Sequence, residues 1–254
     1  ADPDMATSGA MIGSTAAWAD GYTGAGSRIA IIDTGLDLSH PSFSEGGYYY
    51  SLGISAASFG KKISDYNLLT KEEIKKALPN LSISADKNPP KADDLYRNAK
   101  VPFAYNYVDD GLDVSHDAEG DSNGDHGTHV AGITAANKIE GSSVIGVAPD
   151  AQIIVMQVFS AGGGAGWDTI MAGLEDCVRL DVDACNLSLG AAGGFTTGDM
   201  SKTLELFEST DIEVLIAAGN ETNAAYQNRT GWNLSRSGNP DDGVVGTPST
   251  LSAA

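Results

Sequence analysis

The chain has 254 residues, 41% hydrophobic and 19% charged, a globular balance that excludes a disordered or coiled-coil protein and fits one large domain or two small ones. Asp plus Glu number 34 against 15 Lys plus Arg, and the net charge of −19 repels nucleic acid and anionic membrane surfaces. No run approaches the ~18 apolar residues of a membrane span.

Strand and helix signals alternate along the chain, which predicts an α/β fold with a parallel sheet. Residues 14–20 read as a short helix and 28–33 as a compact apolar strand ending in an acid. Residues 44–100 break the rhythm and read as a surface insertion. Within them Thr70 and Glu73 form a capping box, and Pro79 stops the helix that the box opens. A strand at 101–108 leads into an acidic, Gly-containing loop over 109–125, and then a helix over 126–137. Residues 151–159 are a buried strand. After the glycine loop 162–166, Asp168 is the expected cap of a helix running to Leu180. Residues 182–189 and 213–218 are strands, the second one buried, with a helix at 201–209 between them.

Asp33 ends its strand and is followed by Thr34-Gly35. Sites in open α/β sheets form at such strand ends, although acids also terminate strands without any role. The segment His126-Gly127-Thr128-His129-Val130-Ala131-Gly132 puts a His at a helix N-terminus, followed by small residues that let another backbone pack close. One reading is a catalytic base oriented by a carboxylate. The other is a metal pair of His126 and His129, which lacks the i,i+4 spacing and the intervening Glu of zinc helices. Ala217-Ala218-Gly219-Asn220 ends a strand on an amide able to donate to a developing oxyanion. A turn-forming Asn after Gly is the plain alternative. Asp117, Glu119, Asp121, Asn123 and Asp125 offer hard oxygens at alternate positions, as calcium loops do, but lack the Gly expected at the sixth position. The glycines of 162–166 are no phosphate cradle, since no G-K-[ST] follows them. Cys177 is expected on the sheet-facing side of its helix with Ile170, Gly173 and Leu174, and Cys185 inward on the next strand. They read as two buried free thiols, a disulfide being the alternative.

In chain order, these segments resemble the subtilisin-like serine protease family. The resemblance is carried by Ile31-Ile32-Asp33-Thr34-Gly35, His40-Pro41, residues 126–132, Gly146-Val147-Ala148-Pro149, Asn186-Leu187-Ser188-Leu189-Gly190 and residues 217–220. It covers most of the chain outside 44–100. The large insertion and the Gly246-Thr247-Pro248-Ser249 run resemble the family's cell-envelope branch. The resemblance implies a three-layer αβα fold with a mostly parallel central sheet, and a secreted or envelope-bound bacterial serine endopeptidase that requires no cofactor. It implies that Asp33 orients His126, that His126 is the general base and acid, and that Asn220 donates into the oxyanion hole. His129 is implied to be structural, packed inside the helix. Ser188, Leu189 and Gly190 would form one wall of the S1 pocket, Ala217, Ala218 and Gly219 the other, and Gly246 its floor. Gly164, Ala165 and Gly166 would add a second backbone edge for an extended peptide. Such small, uncharged walls imply a preference for large apolar residues at the cleaved bond.

The sequence departs from the family in two places. The family's nucleophile segment, G-T-S-M-A-x-P, is not in it. Ser249 is rejected as a substitute, because its run follows Asn220 too soon and Pro248 stands where the nucleophile belongs. The chain therefore reads as an N-terminal portion of a peptidase domain, truncated at its C-terminus, with the Ser supplied by a later segment or a second chain. Ser42 stands where the family has an Asp after its His-Pro pair, and the loop 138–145 does not match, so the usual calcium site is expected to be absent. Two other functions stay open: a non-catalytic peptide-binding or assembly subunit that retains the fold, and a metal-dependent hydrolase using Asp33, His126 and His129. The expected partner is a peptide or protein substrate, not nucleic acid.

Overall fold

The computed structural model describes residues 5–115, 124–190, 204–219 and 245–249, with side chains from residue 8 onward. The chain divides into two compact units, Ala1–Cys185 and Asn186–Ala254.

The first unit opens with α1 (Met5–Ile12) and α2 (Ser14–Ala19), followed by β1 (Arg28–Asp33). α3 (Glu45–Ser58), α4 (Lys71–Ala77) and α5 (Ala92–Leu95) fill the next stretch. Then come β2 (Phe103–Asn106), α6 (His126–Ala135), β3 (Gln152–Gln157), α7 (Trp167–Arg179) and β4 (Ala184–Leu187), whose last two residues belong to the second unit. The strands lie in the order β2-β3-β1-β4. β3 pairs in parallel with β1 on one side and β2 on the other.

The register sorts the core into two faces. Ile29 pairs with Ile153 and Ile31 with Val155, so these four side chains point to the same side of the sheet. There they pack with Ala131 and Ala135 of α6. The alternate residues Ile154 and Met156 point the other way, toward α7, where the Met156 sulfur lies 3.6 Å from the Cys177 thiol. A sheet covered on both faces needs apolar residues at every position, which explains why RIAIID and QIIVMQ show no alternation. The expected α/β architecture is therefore present, with helices on both faces of a parallel sheet. Cys177 and Cys185 are both buried free thiols, and Cys177 shares its buried face with Ile170, Gly173 and Leu174. Burial raises the Cys177 thiol well above its ordinary range, with the neighbouring Cys185 adding to the shift.

Residues 44–100 form more structure than the sequence suggests. The capping box at Thr70 and Glu73 is present, with Glu73 accepting from the Thr70 amide at 2.7 Å. The 14-residue α3 was not expected, because its glycines and serines are poor helix formers. Ser44 caps it, and Tyr48 and Leu52 bury one side of it against Ala99. The segment is stitched to the sheet by buried polar groups. The Gln152 side chain bonds both the amide and the carbonyl of Leu69 and the carbonyl of Ala99. Lys100 donates to the carbonyls of Pro149 and Ala151, at 2.8 Å each.

In the second unit a 3₁₀ turn, Leu206–Ser209, precedes β5 (Glu213–Ile216), which lies beside the end of β4. β5 alternates exposed and half-buried residues, and Leu215 is 54% exposed, so it is not the buried strand expected. Asp168 does not cap α7 either. Gly166 is the N-cap, and Asp168 sits in the first turn, where its charge complements the helix dipole.

Candidate active site

Asp33 is the last residue of β1, at the C-terminal edge of the sheet, and only 1% of it is exposed. Its Oδ1 accepts from the Thr34 amide at 2.7 Å and lies 2.7 Å from Nδ1 of His126. Oδ2 is buried with no partner among the described residues. The His126 side chain is half exposed, so its Nδ1 edge meets the buried carboxylate while the ring reaches solvent. A carboxylate on Nδ1 sets the tautomer that leaves Nε2 free to accept a proton.

His126 reaches this position because α6 begins unusually close to β1. Its N-cap, Asp125, makes no side-chain cap. The Gly127 amide, one of the four orphan donors of the first turn, instead donates to Thr34 Oγ1 at 2.9 Å. A second tie runs from the Asp37 amide to Thr128 Oγ1 at 2.8 Å. Two threonines therefore join the end of β1 to the start of α6, one on each element. The sequence drew attention to the histidine and the small residues after it, but not to Thr34 or Thr128. Only the D-T-G and H-G-T spellings hint at them.

His129 does not pack inside the helix. It is exposed and lines a surface cavity with Asp37 and His40. Residues 126, 129 and 133 recur along one flank of a 3.6-residue helix, while Gly127, Ala131 and Ala135 form the buried flank. The resemblance implies a packed position, but Ala131 and Ala135 already occupy the flank of the helix that faces the core. Among the described residues, no three His, Cys, Asp or Glu side chains converge as metal ligands. At the position of the family's calcium acid, the Ser42 amide donates to His40 Nδ1 and its carbonyl accepts the Asn137 amide. Ser42 itself offers no carboxylate there.

Gly164, Ala165 and Gly166 form a turn that folds back on the end of β3. Ala165 bridges to Phe159, and the Gly164 carbonyl accepts from Ser160 at 2.9 Å. Gly164 and Gly166 are exposed.

In the second unit the Ala217 amide donates to Leu187 at 3.0 Å, and the Gly246 amide to the Ala218 carbonyl at 2.8 Å. Asn186 Nδ2 donates to Ser188 Oγ at 2.8 Å, Leu189 is buried, and Gly190 is exposed beside the Thr247 carbonyl. Ala217, Ala218 and Gly219 are exposed, and Gly246 is buried. Asn220 and the acidic positions Asp117, Glu119, Asp121 and Asn123 lie outside the described residues.

The model of the subtilase family, peptidase S8, matches residues 24–253. The chain is 28% identical over 261 aligned positions to the PI-type proteinase of Lactococcus lactis subsp. cremoris, covering 99% of this chain and 12% of that protein. It is 29% identical to the minor extracellular protease Vpr of Bacillus subtilis, over 86% of this chain and 20% of Vpr. It is 28% identical to subtilisin E of Bacillus subtilis, over 84% of this chain and 39% of that protein. It thus spans about an eighth of the lactococcal proteinase, and no more than two fifths of any of the three. With a family model matching nearly its whole length, the chain belongs to the subtilase family.

Proposed function

We propose that the chain carries the Asp–His part of a serine endopeptidase. The observation that carries this reading is the 2.7 Å bond between buried Asp33 and half-exposed His126. In the proposed reaction His126 Nε2 takes the proton of a serine hydroxyl as that oxygen attacks the peptide carbonyl. It then returns the proton to the leaving amine. Asp33 stays ionised and stabilises the imidazolium. Asn220 donates to the tetrahedral oxyanion. Water then repeats the cycle to release the acyl group.

The serine in this reading lies outside residues 1–254, on a later segment or a second chain, because the G-T-S-M-A segment is not in the sequence. Ser188–Gly190, Ala217–Gly219 and Gly246 would form the S1 pocket, with a preference for large apolar residues. Gly164–Gly166 would pair with the substrate backbone. One relative is named an extracellular protease, which favours action outside the cell.

The test is labelling with a fluorophosphonate probe, which reacts only with an activated serine. The full-length parent protein is expected to label. Its Asp33→Asn variant should label ~10⁴-fold more slowly. Residues 1–254 alone should take no label. Undiminished labelling of a His126→Ala parent would overturn the assignment, and labelling at Ser249 would overturn the external serine.

A further inference from the structure

We propose that the cavity beside α6 is a subsite for a basic side chain of the polypeptide substrate, Lys or Arg, held away from the bond being cut. The inference rests on the peptidase reading for its substrate, but not for its binding chemistry.

The cavity measures about 370 Å³, within the ~300–1,000 Å³ of small-ligand sites. Its inner walls are apolar: Phe43, Ile133, Ala136 and Val144. Its ionisable groups among the described residues are two carboxylates, Asp37 and Asp125, and two imidazoles, His40 and His129, with Ser42 and Thr128 as further polar residues. Among the described residues no Lys or Arg lines it. An apolar channel with anionic groups matches a side chain that has an apolar stem and a cationic end.

The anionic character is secured locally. Asp37 Oδ1 accepts from both the amide and the hydroxyl of Ser39, at 2.8 and 2.6 Å. The Ser39 hydroxyl bond, with help from nearby His40, holds the Asp37 carboxyl below the ordinary range. His40 Nδ1 accepts the Ser42 amide and its ring leans on Phe43, which holds the ring at the cavity wall. The imidazole of His129 forms no hydrogen bond with the described residues.

Position supplies the occupant. At 1.5 Å per residue, His129 lies ~4.5 Å along the helix axis from His126, and Ala136 ~15 Å. The cavity therefore begins within one helical turn of the catalytic histidine and runs away from it along its flank. A polypeptide whose scissile bond lies at His126 has a neighbouring side chain within reach of this opening. The net charge of −19 further favours a basic segment over an acidic one.

Two measurements test this. In the first, the imidazole signals of His40 and His129 are followed by NMR in residues 1–254. A Lys-containing pentapeptide is added, then the same peptide with norleucine, then free agmatine. Saturable shifts are expected with the Lys peptide, at least tenfold weaker binding with norleucine, and weaker binding again with agmatine. The Asp37→Asn/Asp125→Asn variant should lose at least tenfold. Ile133→Lys, which places a cation at the cavity, should abolish the shifts even if the double variant fails to fold. Absence of shifts with the Lys peptide overturns the subsite, and tighter binding of agmatine than peptide overturns the substrate as its source. In the second, the parent protein is profiled on peptides carrying Lys or norleucine at each position. One position should favour Lys at least fivefold in kcat/KM, and the ratio should fall to about one in Ile133→Lys. Equal ratios at every position overturn the proposal. A parent that cleaves nothing defeats the peptidase reading, while the NMR measurement still decides the cavity.

Discussion

Gly127 lies against Gly35 so closely that a β-carbon on Gly127 would collide with the Gly35 carbonyl oxygen and sit 2.9 Å from its amide nitrogen. Both clashing groups are backbone, which cannot rotate away. Gly35 has φ of +115° and cannot readily take a side chain either. The close approach of α6 to β1 thus depends on two glycines, and it is what brings His126 to Asp33.

Gly127→Ala is therefore expected to push the helix off the strand. Overpacking of this kind costs about 1–3 kcal/mol, and a displacement of ~1 Å at the dyad costs on the order of 10²-fold in kcat/KM. Gly132→Ala is the control. Its β-carbon meets nothing within 4 Å, so it should be neutral or stabilise by about 0.5–1 kcal/mol through helix propensity. Urea denaturation and kinetics of the parent protein would check both. Equal stability of the two variants would contradict the close-packing account.

Thr34 is expected to act as a positioning residue. Its hydroxyl accepts the Gly127 amide and it is 4% exposed. Thr34→Val keeps the volume but leaves that amide without its acceptor, at a cost of about 1–2 kcal/mol, as for a lost helix cap. kcat should fall with KM little changed, because the histidine and not the substrate loses its placement. Thr34→Ser should restore both. A Ser variant no better than Val would show that the methyl group, not the hydroxyl, matters.

The sheet and the dyad were legible in the sequence because each rests on local signals. β1 and β3 are continuous apolar runs, and the D-T-G and H-G-T-H spellings sit at the end of a strand and the start of a helix. What was not legible depends on distant partners. α3 carries three glycines, and it is helical because Tyr48 and Leu52 have a core to bury against. His129 faces outward because its neighbours Ala131 and Ala135 already fill the sheet side of α6. No pattern within ten residues of Lys100 announces that it is buried. Its acceptors lie 49 and 51 residues away.

That lysine predicts a pH dependence of stability. Burial pushes the Lys100 amine down to about 7, opposed by the carboxylate of Asp150. In the unfolded chain the amine holds its proton to ~10.4. Between pH 7 and about 10 the unfolded state therefore binds more protons, and stability rises with pH across that window. Below 7 both states hold the proton, and the full cost of burying the charged amine is present. The Cys177 thiol, also pushed upward by burial, acts in the opposite sense from its ordinary pKa, ~8.5, and the tyrosines Tyr48, Tyr105 and Tyr107 do so from theirs, ~10. Unfolding free energies measured at pH 7, 7.5 and 8 should thus increase, and Lys100→Met should flatten the series. A slope unchanged by that substitution would assign the effect to other groups.

Asp176 carries the last prediction. Its carboxylate is fully buried on α7 and accepts four bonds: the Ser82 amide and hydroxyl at 2.7 Å each, the Tyr107 hydroxyl at 2.9 Å and Arg179 Nη1 at 2.9 Å. Ser82 begins a 3₁₀ turn within residues 44–100, so one carboxylate ties that segment, β2's trailing Tyr107 and α7 together. Asp176→Ala leaves the Tyr107 hydroxyl and the Ser82 groups without acceptors in an enclosed site. Among the described residues it also leaves Arg179 with Glu175 alone as its ion-pair partner. Breaking such a buried network costs about 3–5 kcal/mol. Asp176→Asn keeps the shape and one acceptor oxygen and should cost less. The loss should be local as well as global, because Ser82 is the segment's contact with α7. Limited proteolysis should therefore cut first near residues 80–90 in the Ala variant, under conditions that leave the parent chain whole. Cleavage distributed evenly along the variant would mean that Asp176 supports the fold as a whole and does not anchor this segment to it.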